Sequence, residues 1–242
     1  MAALTGKWSL VTGASRGIGV HLAKGLAGLG SNLILHSRDL AHTAGMADTL
    51  RQMGVQVVTV AAELSQEAQV EAMLDLVQQT ADVDIVYNNA AIMTPYRNDY
   101  WDVPADDMRQ SFEVNVIALA RICYRLIPPM IARKWGRVIN VSSGIRNEPE
   151  LAAYAMSKAA VDKFVKDFAP KLMRTGVTMN LLDPGWLRTD LGGPRAPGAP
   201  SSVVPGALIP ALMNDGKSGL LFGAQDYAGL TIEAALAKAQ VA

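Results

Sequence analysis

Tyr154 and Lys158 stand four positions apart in Tyr154-Ala155-Met156-Ser157-Lys158, a spacing that puts both side chains on one face of a helix. A free phenol loses its proton near pH ~10, too high for a base, and a neighbouring ammonium stabilises the phenolate and draws that value toward neutrality. Tyr154 can then give a proton to a carbonyl oxygen in a reduction, or take one from an alcohol in an oxidation. The same spacing is common on solvated helix faces, so the chemistry needs further groups in reach. Ser142 and Ser143 end an apolar run at 137–141, and either can hydrogen-bond the reacting oxygen; the plainer reading is a strand passing into a turn. Asn115, inside Phe112-Glu113-Val114-Asn115-Val116, carries an amide that must find partners once buried, either a water in a proton path or groups of the core.

A second constellation opens the chain. Thr12-Gly13-Ala14-Ser15-Arg16-Gly17-Ile18-Gly19 follows an apolar run at 8–12 and leads into helical spacing. Gly13, Gly17 and Gly19 meet three needs: a tight turn, room for a diphosphate against backbone N–H groups, and close packing of helix on sheet. The helix N-terminus then faces the phosphate charge. The end of the next run selects the dinucleotide, because a carboxylate there bonds the ribose 2′-hydroxyl and repels a 2′-phosphate. This chain has His36-Ser37-Arg38 instead. Arg38 offers a planar fork, Ser37 a hydroxyl donor and Arg16 a second cation, a set that favours NADP(H) over NAD(H). No metal is expected.

The elements that must position these residues follow from periodicity. Apolar runs predict strands at 8–12, 32–35, 55–60, 84–87, 137–141 and 177–182, with a last one at 219–222. Helical spacing predicts helices from Ile18 through Leu22, Leu26 and Leu29, and over 39–53 (closed by Gly54), 66–80, 107–134 and 152–174. Strand-helix alternation with strands apolar on both faces implies an α/β fold, a doubly wound parallel sheet of about seven strands with helices on both faces. The length suits one domain over residues 1–242. Pro184, Pro194, Pro197, Pro200, Pro205 and Pro210 interrupt regular structure, so about 186–215 reads as a long mobile substrate flap with one short helix. The Ala-rich tail, 232–242, is either a terminal helix or disordered.

Composition narrows the partners. With 22 Lys+Arg against 22 Asp+Glu there is no basic excess to grip nucleic acid or anionic lipid. The lone Cys123 excludes an internal disulfide and suits a reducing compartment, where it reads as a small buried hydrophobe. No secretion signal opens the chain, and the longest apolar stretch, 114–131, carries Arg121 and Arg125. A cytoplasmic protein that crosses no bilayer is expected.

TGASRGIG at 12–19, NNAA at 88–91, Asn115, VSS at 141–143, YAMSK at 154–158 and PGWLRTD at 184–190 occur in the order found in the short-chain dehydrogenase/reductase family, which the chain resembles over nearly its whole length. That resemblance implies Tyr154 as acid/base, Lys158 lowering its pKa and binding the nicotinamide ribose, Ser143 orienting the carbonyl with Ser142 as competitor, and Asn115 supporting a water relay. It places Gly13, Ser15, Arg16, Gly17, Ile18 and Gly19 on the diphosphate side and Ser37 and Arg38 at the 2′-phosphate. Glu63 and Leu64 fall where the family often has an aspartate near the adenine, Asn89 and Ala90 line the cofactor, and Pro184, Gly185 and Thr189 meet the nicotinamide. The expected activity is interconversion of a ketone or aldehyde and its alcohol, by a homodimer or homotetramer. The family's Asp-Gly-Gly finish is absent from the stretch Gly219 to Tyr227, which puts the usual tetramer contacts in doubt. A nucleotide-sugar epimerase would need a longer substrate domain. A non-catalytic NADP sensor would have no use for Tyr154, Lys158, Ser143 and Asn115 together. Tyr96, Tyr100, Trp101 and Trp186 suggest a partly apolar or ring-bearing substrate, or else pack a lid.

Overall fold

A computed structural model describes residues 3–241 of the chain. Seven strands, β1 (Trp8–Val11), β2 (Asn32–Ser37), β3 (Val57–Ala61), β4 (Ile85–Asn88), β5 (Gly136–Val141), β6 (Val177–Asp183) and β7 (Leu221–Gly223), form one sheet in the order β3-β2-β1-β4-β5-β6-β7. Every neighbouring pair is parallel. The order reverses between β1 and β4, and in such sheets the crevice outside the carboxyl ends at this point is where ligands bind.

Alternation along each strand feeds two apolar layers. Leu33 and Leu35 of β2 join Leu22 and Leu26 of α1 (Ile18–Gly28), Leu50 of α2 (Ala41–Arg51) and Ala235 and Ala239 of α8 (Ile232–Val241). Ile34, between them, faces the other way, with Leu74 of α3 (Glu67–Thr80), Ile122 of α5 (Ala118–Ala132) and Val161 of α6 (Ala152–Phe168). The tail expectation resolves in favour of a helix up to Val241, with Ala242 outside the described residues. By length and mean hydropathy, 1.4, the stretch Ala105–Ala132 is able to cross a membrane, yet half of its apolar window is buried in the fold. Arg121 and Arg125 there pair with Glu71 of α3.

Two expectations change. The helix expected over 107–134 runs as α4 (Ala105–Phe112), a π-helical turn Glu113–Ile117 and α5. The Pro-rich stretch is not one flap over 186–215. Its second half is core: Val203, Ala207, Leu208 and Ile209 are fully buried, and the Tyr87 hydroxyl donates to the Ala207 carbonyl at 2.7 Å. The prolines permit this because Pro200 and Pro210 sit in the first turn of short helices (Pro200–Val203 and α7, Ile209–Leu212), where no backbone N–H is required. Leu208 lies so close to α1 that a Cβ on Gly25 would fall 2.7 Å from its Cδ1. Leu208→Ala should therefore cost about 2–5 kcal/mol in urea unfolding, as for a buried leucine, whereas a flap residue would cost well under 1 kcal/mol.

Candidate active site

The carboxyl ends of β1, β2, β4, β5 and β6 deliver the chemically active residues to one edge of the sheet. At the end of β1, Gly13 has φ +64°, and a Cβ there would fall 2.9 Å from Ala90 Cα, so only glycine fits. Gly17, at φ +56°, leads into α1. The loop is tied to β4 through Thr12: its hydroxyl donates to the Tyr87 carbonyl and accepts from the N–H groups of Asn89 and Ala90, both at 3.0 Å. The Asn89 amide donates to the Thr12 carbonyl at 2.8 Å. Asn89 and Ala90 thus sit against the glycine loop, and the Asn89 amide supports that loop from the side. His36 ties the loop to β2, its Nδ1 accepting from Gly13 N–H at 3.3 Å while Nε2–H donates to the Ala62 carbonyl at 3.1 Å.

The groups expected at a 2′-phosphate divide. Arg38 is exposed and has no ion pair among the described residues. Ser37 is turned inward, its hydroxyl donating to the Asp39 carbonyl at 2.6 Å, so the expected donor is engaged by its own turn. Arg16 pairs with Asp190 at 3.0 Å, both side chains mostly exposed. Thr189 brings its methyl 3.2 Å from where a Gly17 Cβ would be, so the segment after β6 closes on the glycine loop. Glu63 folds back on Ser65 and Leu64 is buried, just beyond β3.

Across the crevice, α6 presents Tyr154 and Lys158, 6% and 3% exposed, to the end of β5. Lys158 Nζ donates to the Val141 carbonyl at 2.8 Å and lies 5.7 Å from the Tyr154 ring centroid. Ser143 is the serine that acts on the Tyr154 hydroxyl, and its own Oγ accepts from Ile145 N–H at 3.3 Å. Ser142 is instead buried, its hydroxyl donating to Asp162 at 2.5 Å. Burial pushes the Tyr154 phenol up; the Ser143 hydrogen bond draws it down and Asp183, at the end of β6, adds to the rise. Burial acts on the ammonium as well: Lys158 is lowered to about 8, with Asp162 pulling the other way.

Asn115 lies in the π-helical turn, fully buried. Its Oδ1 accepts from Ile92 N–H at 2.8 Å, and its Nδ2 donates to the Ile92 carbonyl and to Ser157 Oγ, each at 2.9 Å. Both amide donors are thus engaged, and the side chain clamps the 92–101 loop to α6 with no donor left for a water. Arg97 in that loop is held by Asp107 through two hydrogen bonds, 2.8 and 3.1 Å. Beyond β6, Gln225 donates to the Pro184 carbonyl at 2.8 Å and accepts from Ser202, fastening the Pro184-Gly185 turn.

Residues 7–199 match the short chain dehydrogenase family. The chain belongs to that family. Oxidoreductase UcpA of Salmonella typhimurium is 32% identical over 213 residues, 84% of this chain and 80% of that protein. D-beta-hydroxybutyrate dehydrogenase of Cupriavidus necator is 33% identical over 197 residues, 78% of this chain and 73% of that one. The crystal structure of a 3-oxoacyl (acyl-carrier-protein) reductase from Agrobacterium tumefaciens with NADP bound matches at a TM-score of 0.82 with 28% identity, over 91% of this chain and 93% of that chain.

Sequence reasoning about this short chain dehydrogenase missed Asp162, Asp183 and His36. Asp162 was within reach, because it continues the i, i+4 stripe of Tyr154 and Lys158. Asp183 precedes Pro184-Gly185, and only the neighbouring strand brings it to Tyr154. His36 has a measurable signature. Burial lowers its pKa, outweighing the raising pull of the Ala62 carbonyl and Glu63. A folded value below the unfolded one means that the unfolded chain binds the proton first, so this stability is present above about pH 6.5 and is lost as pH falls from there through the lower folded value. Between about pH 7 and pH 5 the wild type should lose urea resistance more steeply than His36→Gln; parallel slopes would show that His36 is not buried neutral.

Proposed function

We propose that the protein is an NADP(H)-dependent reductase of partly apolar ketones or aldehydes, running the reverse oxidation when the alcohol is in excess. The observation that carries this reading is the convergence of a buried Tyr154, its neighbour Ser143 and the buried Lys158 beside a glycine loop that a single Cβ would fill. The loop fits a dinucleotide diphosphate: positive-φ glycines, a close neighbour at Ala90 and the start of α1 directly behind. Arg38, with no acid at the end of β2, supports NADP(H), as does the NADP held by the Agrobacterium reductase.

The bound nicotinamide supplies the hydride. The Ser143 hydroxyl donates to the substrate carbonyl and fixes its direction. The Tyr154 hydroxyl gives its proton to the same oxygen as the alcohol forms. Lys158 stands behind Tyr154 and offsets the negative charge left on the phenolate. Asn115 holds the 92–101 loop, and exposed Tyr96, Tyr100, Trp101 and Trp186 offer an apolar wall to the substrate. A cofactor sensor without chemistry has no use for a buried lysine aimed at a tyrosine. Exposed Ile117 and Tyr124 on the π turn and α5 support self-association, as a dimer or tetramer.

Tyr154→Phe should lower kcat/KM for NADPH-dependent carbonyl reduction by on the order of 10²–10⁴ while leaving the Kd for NADPH nearly unchanged. Full activity in the variant, or no turnover by the wild type over a broad panel of ketones, aldehydes and diketones, would sink the reading. Asp190→Asn releases Arg16, so the Kd for NADPH in fluorescence titration should fall about two- to fivefold, the range of an exposed ion pair, and that for NADH should not. Equal tightening for both would assign Arg16 to the diphosphate instead.

A further inference from the structure

The end of β5 meets α6 in three rungs. Ser143 faces Tyr154, the Val141 carbonyl accepts from Lys158 Nζ at 2.8 Å, and Ser142 donates to Asp162 at 2.5 Å. Tyr154, Lys158 and Asp162 are spaced i, i+4, i+8, so one stripe of one helix is matched to three consecutive residues of one strand end. The first two rungs belong to the proposed reaction. The third has no part in it, yet it places a carboxylate one helical turn beyond a fully buried ammonium. A buried lysine tends to shed its proton, since burial penalises the charged form, and a neutral amine would do nothing for a phenolate.

We infer that Asp162, fixed by Ser142, is a positioning residue that keeps Lys158 cationic. The inference rests on the proposed roles of Tyr154 and Lys158. Other charged groups on the elements packed against α6 are otherwise engaged. Asp107 of α4 is taken by Arg97, and Glu113 of the π turn is exposed. Glu150, just before α6, hydrogen-bonds Tyr96, and Asp183 of β6 acts on Tyr154. On α6 itself, Lys163 and Asp167 pair with each other at the surface. Asp162 is the group whose charge opposes the effect of burial on Lys158, which settles at about 8. Ser142 matters because a carboxylate free to swing into solvent would be screened by water, whereas one held against the strand end is not.

The test is a pH titration of the Lys158 side chain by NMR in protein labelled with 13C-lysine, the resonance assigned with Lys158→Arg. Its midpoint in the wild type should lie near 8 and fall by about one unit in Asp162→Asn, the lower end of the effect of a nearby opposite charge. Asp162→Glu should restore it, and Ser142→Ala should move it in the same direction by less. The alkaline limb of kcat for NADPH-dependent reduction should follow the same order, a response that loss of packing alone would not produce. An unchanged Lys158 midpoint in Asp162→Asn overturns the inference; should that variant fail to fold, an unchanged midpoint in Ser142→Ala does so. If the wild type turns over no carbonyl while the midpoint still moves, the reductase reading fails and the electrostatic one stands.

Discussion

A lysine ammonium buried to the last few per cent of its surface needs a fixed partner, and here the partner is a backbone carbonyl at the end of a strand. The bond from Lys158 Nζ to the Val141 oxygen, 2.8 Å long, sets the height of α6 along β5. Once that height is set, Tyr154 comes level with Ser143 and Asp162 with Ser142. The interaction is demanding because desolvating a charge is costly unless its donors are satisfied. It also explains why so much of the surrounding structure serves geometry: Asn115 clamps the neighbouring loop to Ser157 of the same helix, and the π turn places that amide inside the core.

Strand order carries this local arrangement to a cofactor cleft. With β4 beside β1 and β5 beside β4, the carboxyl ends of the strands put the glycine loop, Asn89-Ala90 and Ser142-Ser143 along one edge, and β6 adds Asp183 and the Pro184-Gly185 turn. The glycine loop, Asn89-Ala90, Ser142-Ser143 and Asp183-Pro184-Gly185 are far apart in sequence. The Thr12 hydroxyl and the His36 imidazole then hold the glycine loop to β4, β2 and the residue after β3 from within, leaving its outer face free to meet phosphate. Burial of Tyr154, together with the charge of Asp183, pushes its phenol up.

Much of this was legible in the amino-acid order, for physical reasons that also mark where legibility ended. Buried parallel strands are apolar on both faces, so β1 to β6 stood out as short runs, and the helices between them showed their stripes. Glycine positions were readable because positive φ and close approach leave few alternatives, as at Gly13. What escaped reading depends on tertiary position. Ser142 and Ser143 are one residue apart, and which of them meets Tyr154 is decided only by how α6 seats on β5. The Ser37 hydroxyl had a nearer acceptor in its own turn. Residues 203–213 looked like loop because prolines break helices in mid-course, whereas these prolines start short ones beneath α1. The π turn has no local signal, since its extra residue is accommodated by packing around Asn115.

The central claim is that Tyr154 and Lys158 face a bound NADP(H) whose diphosphate lies on the 12–19 loop. A crystal structure of the protein with NADP+ tests it most directly. The account predicts density along the strand ends, with the 2′-phosphate at Arg38, the nicotinamide half against Pro184-Gly185, and Lys158 and Tyr154 within hydrogen-bonding distance of the nicotinamide ribose. A cofactor seated in the reverse direction, or one that leaves Lys158 and Tyr154 without contact, would contradict it.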